Sequence, residues 1–201
     1  MSTPNVKVSS GCRPDAGSHS IGIAQLRSRI LILYSTVDGH TRRICERLQQ
    51  VIEAQGHEVR LVDLERSPAF DLAHFDKIVI GASIRYGKHR RKVIDFINAN
   101  ARTLESTPSA FFSVNVVARK PGKNTPDTNP YVRKILKQIA WRPRRLAVFA
   151  GKIDYPRYGF WDRAIIRFIM WITRGPTDPC SVVDFTDWRQ VEAFGALVSA
   201  M

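Results

Sequence analysis

The chain has 201 residues, and 44% of them are hydrophobic, which is enough for one domain with a buried core and short appendages. Its 31 Lys and Arg residues outnumber 18 Asp and Glu residues. The formal net charge of +13 favours an anionic partner: a nucleic acid, a membrane surface or an acidic ligand. Three widely spaced cysteines without a CxxC pattern argue against a disulfide framework or a structural metal, and they fit a reducing compartment best. No apolar run reaches the length of a membrane span.

Residues 1–28 are predicted to be a poorly ordered extension, because they are rich in serine and glycine and have few large apolar residues. The segment has a single acidic residue, Asp15, which resembles the composition of a weak organelle presequence, but it forms no obvious Arg-rich amphipathic helix. Residues 29–201 are then the folded domain.

From Ile30 onward, short apolar strands alternate with helices. The pattern predicts strands at 30–34, 57–63, 76–82, 109–115 and 145–151, and helices at 41–55, 89–104, 131–140 and 187–200. Strands that are apolar along their whole length are typical of a parallel sheet covered on both faces. The prediction is therefore an α/β fold with a doubly wound, five-stranded parallel sheet, whose ligand site lies at the carboxyl ends of the strands.

The first strand, ILILY, breaks directly into Ser35-Thr36-Val37-Asp38-Gly39-His40-Thr41 before a helix. Free backbone N–H groups converge at a helix N-terminus, hydroxyl groups add donors, and Gly39 lets the backbone approach a ligand closely. This pattern indicates a phosphate site. The alternative is an ordinary strand–helix turn with Thr41 as N-cap, and the segment alone leaves both interpretations open.

The loops after the third and fourth strands are unusual as well. They read GASIRYGK at 81–88 and VNVVARKP at 114–121, followed by a polar run to Pro130. Both can present backbone groups to a planar polar ring while Ile84 or Tyr86 packs on its face. Taken singly, Tyr86 could equally be a surface aromatic residue and Arg85 a solvated cation.

Residues 155–175 read YPRYGFWDRAIIRFIMWITRG and lie where a minimal fold of this class needs only a short connection. A helix over 160–173 would place Trp161, Ile165, Phe168, Ile169 and Ile172 on one face and Arg163, Arg167 and Arg174 on the other. Apolar and aromatic bulk opposite arginines is typical of an extra amphipathic helix that lies in a membrane interface. The alternative is a core-packed helix with a solvated arginine face.

The first loop resembles that of flavodoxins, since Thr36, Gly39 and Thr41 match their hydroxyl–Gly–hydroxyl phosphate loop. More specifically, the chain from Ile30 to its C-terminus resembles the flavodoxin-like, quinone-dependent protoporphyrinogen dehydrogenases of haem synthesis. The motifs that carry this resemblance occur in the order of that family: STVDGHTR (35–42), IGASIRYGKH (80–89), PSAFFSVNVVARKP (108–121), WRP (141–143), YPRY (155–158) and TDW (186–188).

The resemblance implies a flavodoxin-like FMN-binding domain over residues 29–201, with residues 155–175 as an inserted segment that faces the membrane and the quinone. It implies oxidation of protoporphyrinogen IX to protoporphyrin IX by removal of six electrons in two-electron steps, with a membrane quinone, menaquinone or ubiquinone, as acceptor. The residues it places around FMN are Ser35, Thr36, Asp38, Gly39, His40, Thr41, Ser83, Ile84, Arg85, Tyr86, Gly87, Ser113, Val114 and Asn115.

Two further roles follow less directly. Arg119 and Lys120, in the polar loop 119–130, could hold the two propionates of the porphyrinogen, although a mobile solvated loop explains them equally well. Asp38 replaces a hydroxyl residue of many flavodoxins, and we expect its carboxylate to turn outward from the phosphate. No residue stands out as a catalytic base, and His89, at a predicted helix start, is expected on the surface.

Peripheral contact with the cytoplasmic face of an inner membrane, or with a mitochondrial membrane in a eukaryote, would explain how such a domain reaches a lipid quinone. Two alternatives remain: a flavodoxin-type FMN quinone oxidoreductase that acts on another substrate, and a non-enzymatic basic module that binds membrane or nucleic acid. Nucleic acid is the weaker partner, because the basic residues match no helix-turn-helix, RNA-binding or zinc pattern.

Overall fold

The computed structural model describes residues 27–66, 71–172 and 175–201. Nearly all of the predicted N-terminal extension lies outside the described residues, so the domain boundary at residue 29 stays a prediction. Thr173 and Arg174, at the end of the predicted amphipathic helix, also lie outside them.

The described residues form strands and helices in the alternating order that the sequence predicts. In chain order they are β1 (Arg29–Ser35), α1 (His40–Glu53), β2 (Glu58–Asp63), β3 (Lys77–Arg85), β4 (Lys88–His89), α2 (Arg91–Ala99), α3 (Ala101–Ser106), β5 (Ser109–Asn115), α4 (Pro130–Ile135), β6 (Arg145–Ala150), β7 (Lys152–Asp154), α5 (Phe160–Ile172), β8 (Val182–Asp184) and α6 (Trp188–Ser199).

Five strands form one parallel sheet in the spatial order β2-β1-β3-β5-β6. The prediction of a doubly wound five-stranded parallel sheet is confirmed, and the amphipathic helix before the last helix is present as α5. Strand order changes direction between β1 and β3, and this is the place where sheets of this class bind ligands. Two additions were not predicted: β4 pairs antiparallel with β3, and β7 pairs with β8 in a separate small sheet.

The apolar strands are explained by burial on both faces of the sheet. In β1, Ile30 and Ile32 pack with side chains of α1 and α6, whereas Leu31 and Leu33 pack with side chains of α2, α3 and α4. All four residues are fully buried. A strand with both faces covered has no solvent side that would select polar residues, so no alternation appears in its sequence.

Gly81 in β3 allows one close contact in this core. A Cβ built on Gly81 would lie 2.1 Å from Cζ of Phe112, so the ring of Phe112 occupies the space that any side chain at position 81 would need. The ring of Phe112 in turn packs tilted against Phe149 and edge-on against Phe194.

The prediction of one helix over 89–104 is wrong in where the helix starts and in its continuity. Tyr86 and Gly87 both have positive φ, of 48° and 73°, and form a two-residue turn that pairs β4 with β3. His89 therefore belongs to a strand and is buried, not on the surface. The helix is also interrupted at Asn100, whose side chain donates to the backbone oxygen of Phe96 at 2.8 Å and competes with the regular helix.

Candidate functional site

Two adjoining clefts lie at the carboxyl ends of β1, β3, β5 and β6. The first cleft has a volume of about 670 Å³ including its open mouth. It is lined by Thr36, Val37, Asp38, His40, Thr41, Arg43, Ser83, Ile84, Val114, Asn115, Val116, Gly151, Lys152, Asp154, Arg157 and Tyr158. The three loops that the sequence singled out therefore meet at one place.

The loop after β1 leaves a buried hydroxyl group available in the first cleft. Helix α1 begins at His40 with Gly39 as its N-cap, at φ 82°, so the N-cap role considered for Thr41 is wrong. The Gly39 N–H donates to the hydroxyl oxygen of Thr36 at 3.0 Å. Thr41 is 1% exposed, and within the described parts of the chain its hydroxyl group has no hydrogen-bond partner. Buried polar groups are rarely unpaired, so the unpaired hydroxyl points to a ligand.

His40, beside Thr41, has one ring nitrogen bonded and one unpaired. Its Nε2 lies 2.7 Å from the hydroxyl oxygen of Thr186, which donates its own hydrogen to the backbone oxygen of Ala150 at 2.8 Å. Nε2 must therefore carry the ring hydrogen, and Nδ1 is an acceptor that has no partner among the described residues. Burial lowers the pKa of His40, although the Asp184 carboxylate at 3.6 Å opposes the shift, so the neutral ring is favoured.

Ion pairs connect the end of β3 to the loop after β1 and to α5. The Arg85 guanidinium donates to both carboxylate oxygens of Asp38 at 3.1 Å and also binds the carboxylate of Asp162, in the first turn of α5. Arg85 is therefore not a solvated cation. The carboxylate of Asp38 was expected to turn outward from the phosphate; it pairs with Arg85 at the end of β3, and its orientation relative to a phosphate stays a prediction.

Tyr86 extends this contact toward α5. Its hydroxyl group donates to Asp162, its ring centroid lies 5.2 Å from the Arg85 guanidinium carbon, and it is 54% exposed. A non-glycine residue with positive φ is uncommon and costs backbone free energy, so such residues cluster at functional sites. Of the neighbouring predicted residues, Ser83 donates to the backbone oxygen of Ser35 at 3.3 Å, while Ile84 lines both clefts.

The loop after β5 carries a buried chain of hydrogen bonds. Asn115, which lines both clefts, receives a hydrogen bond from Asn129 at 3.2 Å and donates to Ser113 at 3.4 Å. Ser113 lies 3.0 Å from Nε2 of His89, behind the cleft and not in its lining. Burial lowers the pKa of His89 to about 4, so the ring is uncharged at neutral pH.

The predicted site residues are not all at the clefts. Ser35 and Ser113 are buried beneath them, and Ser35 donates to Glu65 at 3.2 Å. Arg119 and Lys120 line neither cleft. The Arg119 guanidinium lies 5.6 Å from the ring centroid of Phe185 and donates to the backbone oxygen of Val116, so its predicted contact with propionates has no support from the cleft geometry.

Residues after β6 complete the first cleft, and the residue assignments from the sequence did not include them. They are Gly151, Lys152, Asp154, Arg157 and Tyr158. Lys152 is paired with Asp154 at 2.9 Å. The signal that could have identified Arg157 and Tyr158 was the YPRY motif at 155–158, which carried the family resemblance but was assigned only to the segment 155–175 that faces the membrane and the quinone.

Helix α5 places its apolar face outward. The exposed residues of that face include Phe160, Trp161, Ile165, Phe168, Ile169, Trp171 and Ile172. Met170 and Ile166 instead pack inward against Tyr155 and Tyr158. The core-packed alternative is thus wrong for the predicted apolar face. None of the helices in the described ranges is both long and apolar enough to cross a membrane.

Sequence comparisons with known proteins point to one family. The Flavodoxin domain model matches residues 31–179, a range that includes every residue lining the first cleft. The chain is 41% identical over 180 residues to the protoporphyrinogen IX dehydrogenase (quinone) of Leishmania major, which covers 89% of this chain and 78% of that protein. It is 45% identical over 166 residues to the protein of the same name from Escherichia coli K12, covering 83% of this chain and 92% of that protein. A flavodoxin from Streptococcus pneumonia TIGR4 superimposes with a TM-score of 0.49 at 11% identity, over 86% of this chain and 98% of that one.

Proposed function

This chain belongs to the flavodoxin family and, within it, to the quinone-dependent protoporphyrinogen IX dehydrogenases, and we propose that it oxidises protoporphyrinogen IX with FMN as cofactor and a quinone as acceptor. The observation that carries the proposal is identity of 41% and 45% to two proteins of that name over most of their length. The unpaired Thr41 hydroxyl supports the cofactor, because it gives the first cleft a donor at a helix N-terminus.

The first cleft suits the phosphate of FMN. Thr36 accepts a hydrogen bond from Gly39 and keeps its own hydroxyl hydrogen to donate, and Thr41 contributes a second donor. Helix α1 begins at His40 in the lining of the same cleft, so its N-terminus favours an anion there, and α1 has no acidic residue in its first turn to repel one. The Nδ1 acceptor of His40 can receive a hydrogen bond from a hydroxyl group of the same ligand.

The loops after β3 and β5 would hold the flavin ring. Ile84 offers an apolar surface, and Asn115 offers an amide that its partners Ser113 and Asn129 keep in one orientation. When bound, FMN supplies the two-electron chemistry that removes hydrogen from the tetrapyrrole and passes the electrons on to the quinone. The contribution of the chain is to bind and orient the ring, while His89, buried behind the cleft, stays uncharged at neutral pH.

A substitution of Thr41 tests the cofactor site. Thr41→Val removes one buried hydroxyl at nearly constant volume, and we expect FMN affinity to fall about tenfold or more, because hydrogen bonds to charged groups are strong. Quenching of flavin fluorescence on binding measures the affinity. Riboflavin, which has no phosphate, is the control and should bind both proteins equally. Equal weakening for both flavins would contradict the phosphate assignment.

The reaction itself is tested with the FMN-loaded protein under anaerobic conditions. Protoporphyrinogen IX should bleach the visible flavin spectrum, and a soluble quinone should restore it while porphyrin fluorescence appears. A flavin spectrum that protoporphyrinogen leaves unchanged would refute the proposed reaction. If NAD(P)H bleached the flavin spectrum and protoporphyrinogen did not, a flavodoxin-type oxidoreductase with another substrate would be favoured.

Peripheral membrane contact, at the cytoplasmic face of an inner membrane or at a mitochondrial membrane, is part of the same proposal. Its support is the outward apolar face of α5 together with the net charge of +13, since apolar bulk and cations combine on helices that bind anionic lipid surfaces. Vesicles containing phosphatidylglycerol should sediment the protein, and replacing both Trp161 and Phe168 with Gln should abolish this. Leu197→Gln on α6, also exposed, is the control. Sedimentation of the double variant with the vesicles would refute the contact.

A further inference from the structure

The second cleft adjoins the first and contains about 730 Å³ of space including its open mouth. The two clefts share the lining residues Asp38, Ile84, Asn115, Val116, Lys152 and Tyr158. A ring held between the loops after β3 and β5 would therefore be in reach of a ligand in the second cleft. Each two-electron round also requires an oxidised acceptor to reach the same ring.

The outer wall of the second cleft is apolar and comes from α5. Ile166, Ile169 and Met170 form this wall opposite Val116 and Val117. Ile169 is also 39% exposed and belongs to the outward apolar face of α5. An apolar surface thus continues from the outside of the helix into the cleft, and a ligand with an apolar tail could lie along it.

The charges of the second cleft are already neutralised. Arg85 is paired with Asp38 and Asp162, and Lys152 is paired with Asp154. The cleft therefore offers no uncompensated cation, within its described lining, to a dianionic tetrapyrrole. A neutral ring with carbonyl oxygens needs only a hydrogen-bond donor in the cleft. Tyr131 lines the cleft, and its hydroxyl group can be such a donor.

We propose that the second cleft binds the ring of the quinone acceptor, with its apolar tail leaving across Ile169 toward the outward face of α5. This inference rests on the proposed function and adds the place where the acceptor binds. The occupant is a neutral, lipid-soluble quinone because the wall is apolar, is continuous with the exposed face and carries no unpaired charge.

The test compares Ile169→Gln with Leu197→Gln. Leu197, on α6, is a side chain of similar size and is 38% exposed, close to the 39% of Ile169, but it lines neither cleft. The FMN-loaded proteins are photoreduced in lipid-free buffer and mixed with menadione, and the rate at which flavin absorbance returns is measured. We expect Ile169→Gln to lower the second-order rate constant about fivefold and Leu197→Gln to leave it unchanged. Calorimetric titration of menadione into the oxidised proteins should show weaker binding in the same variant.

Two results would overturn the inference. One is equal reoxidation and equal menadione affinity in Ile169→Gln and the wild type. The other is that protoporphyrinogen reduces the flavin of Ile169→Gln more slowly than that of the wild type, while menadione reoxidises both at the same rate. That result would make the second cleft the tetrapyrrole site. Photoreduction needs no protoporphyrinogen, so failure of the proposed reaction would show separately, as a flavin that protoporphyrinogen cannot reduce.

Discussion

Replacing Asn129 should destabilise the fold strongly, although the residue lies in a loop. Asn129 is fully buried, and its side chain connects three parts of the chain. Its Oδ1 accepts from the backbone N–H groups of Tyr131 and Val132 and caps α4. Its Nδ2 donates to Asn115 at 3.2 Å and to the backbone oxygen of Lys123 at 2.7 Å.

The magnitude follows from these contacts. Asn129→Ala removes an N-cap, which costs about 1 kcal/mol. It also leaves the buried side-chain oxygen of Asn115 without this donor, at about 1–3 kcal/mol for a buried group left unpaired, whereas the backbone oxygen of the exposed Lys123 can bind water instead. Asn115 keeps the hydrogen bond from Ala118, which limits the second contribution. We therefore expect the free energy of unfolding to fall by about 2–3 kcal/mol.

Urea unfolding, followed by circular dichroism, measures the loss. Asn98→Ala is the matched control, because Asn98 also bonds two backbone groups, of Gln138 and Ala140, but is exposed. Water replaces its hydrogen bonds, so the loss should stay below about 1 kcal/mol. Asn129→Ser keeps a capping oxygen and should recover about 1 kcal/mol of the loss in Asn129→Ala. The reasoning is refuted if Asn129→Ala and Asn98→Ala lose the same small free energy.

Two other predictions concern His89 and Gly81. Burial lowers the pKa of His89 to about 4 from 6.5, so between these pH values the unfolded chain binds a proton that the folded chain does not. Stability should therefore fall as the pH is lowered through this range, by roughly 3 kcal/mol for this group. Urea midpoints of His89→Gln should vary less between pH 7 and 4 than those of the wild type, and parallel profiles would contradict the assignment. Gly81→Ala places a Cβ 2.1 Å from the Phe112 ring and should cost about 2–3 kcal/mol in urea unfolding. The control Gly159→Ala meets no atom within 4 Å, and equal stability of the two variants would contradict the close contact.

Several features of the site were accessible from the sequence because they depend on local patterns. The apolar run Ile30–Tyr34 predicts a strand buried on both faces, and the change to hydroxyl and glycine residues marks where it ends. In a parallel sheet all carboxyl ends lie at one edge, so the loops after β1, β3 and β5 had to meet. Family motifs then indicated which ring and which reaction fit those loops.

The remaining features depend on contacts between residues far apart in the chain. The sequence shows Asp38, Arg85 and Asp162 as separate charges, and only the fold brings them together. The helical pattern of 89–104 resembles one continuous helix, because periodicity does not report that β3 pairs with residues 88–89 and buries His89. Likewise, an amphipathic pattern in α5 gives the existence of an apolar face but not its direction. That direction is decided by which neighbours fill the space beneath the helix, here Tyr155 and Tyr158.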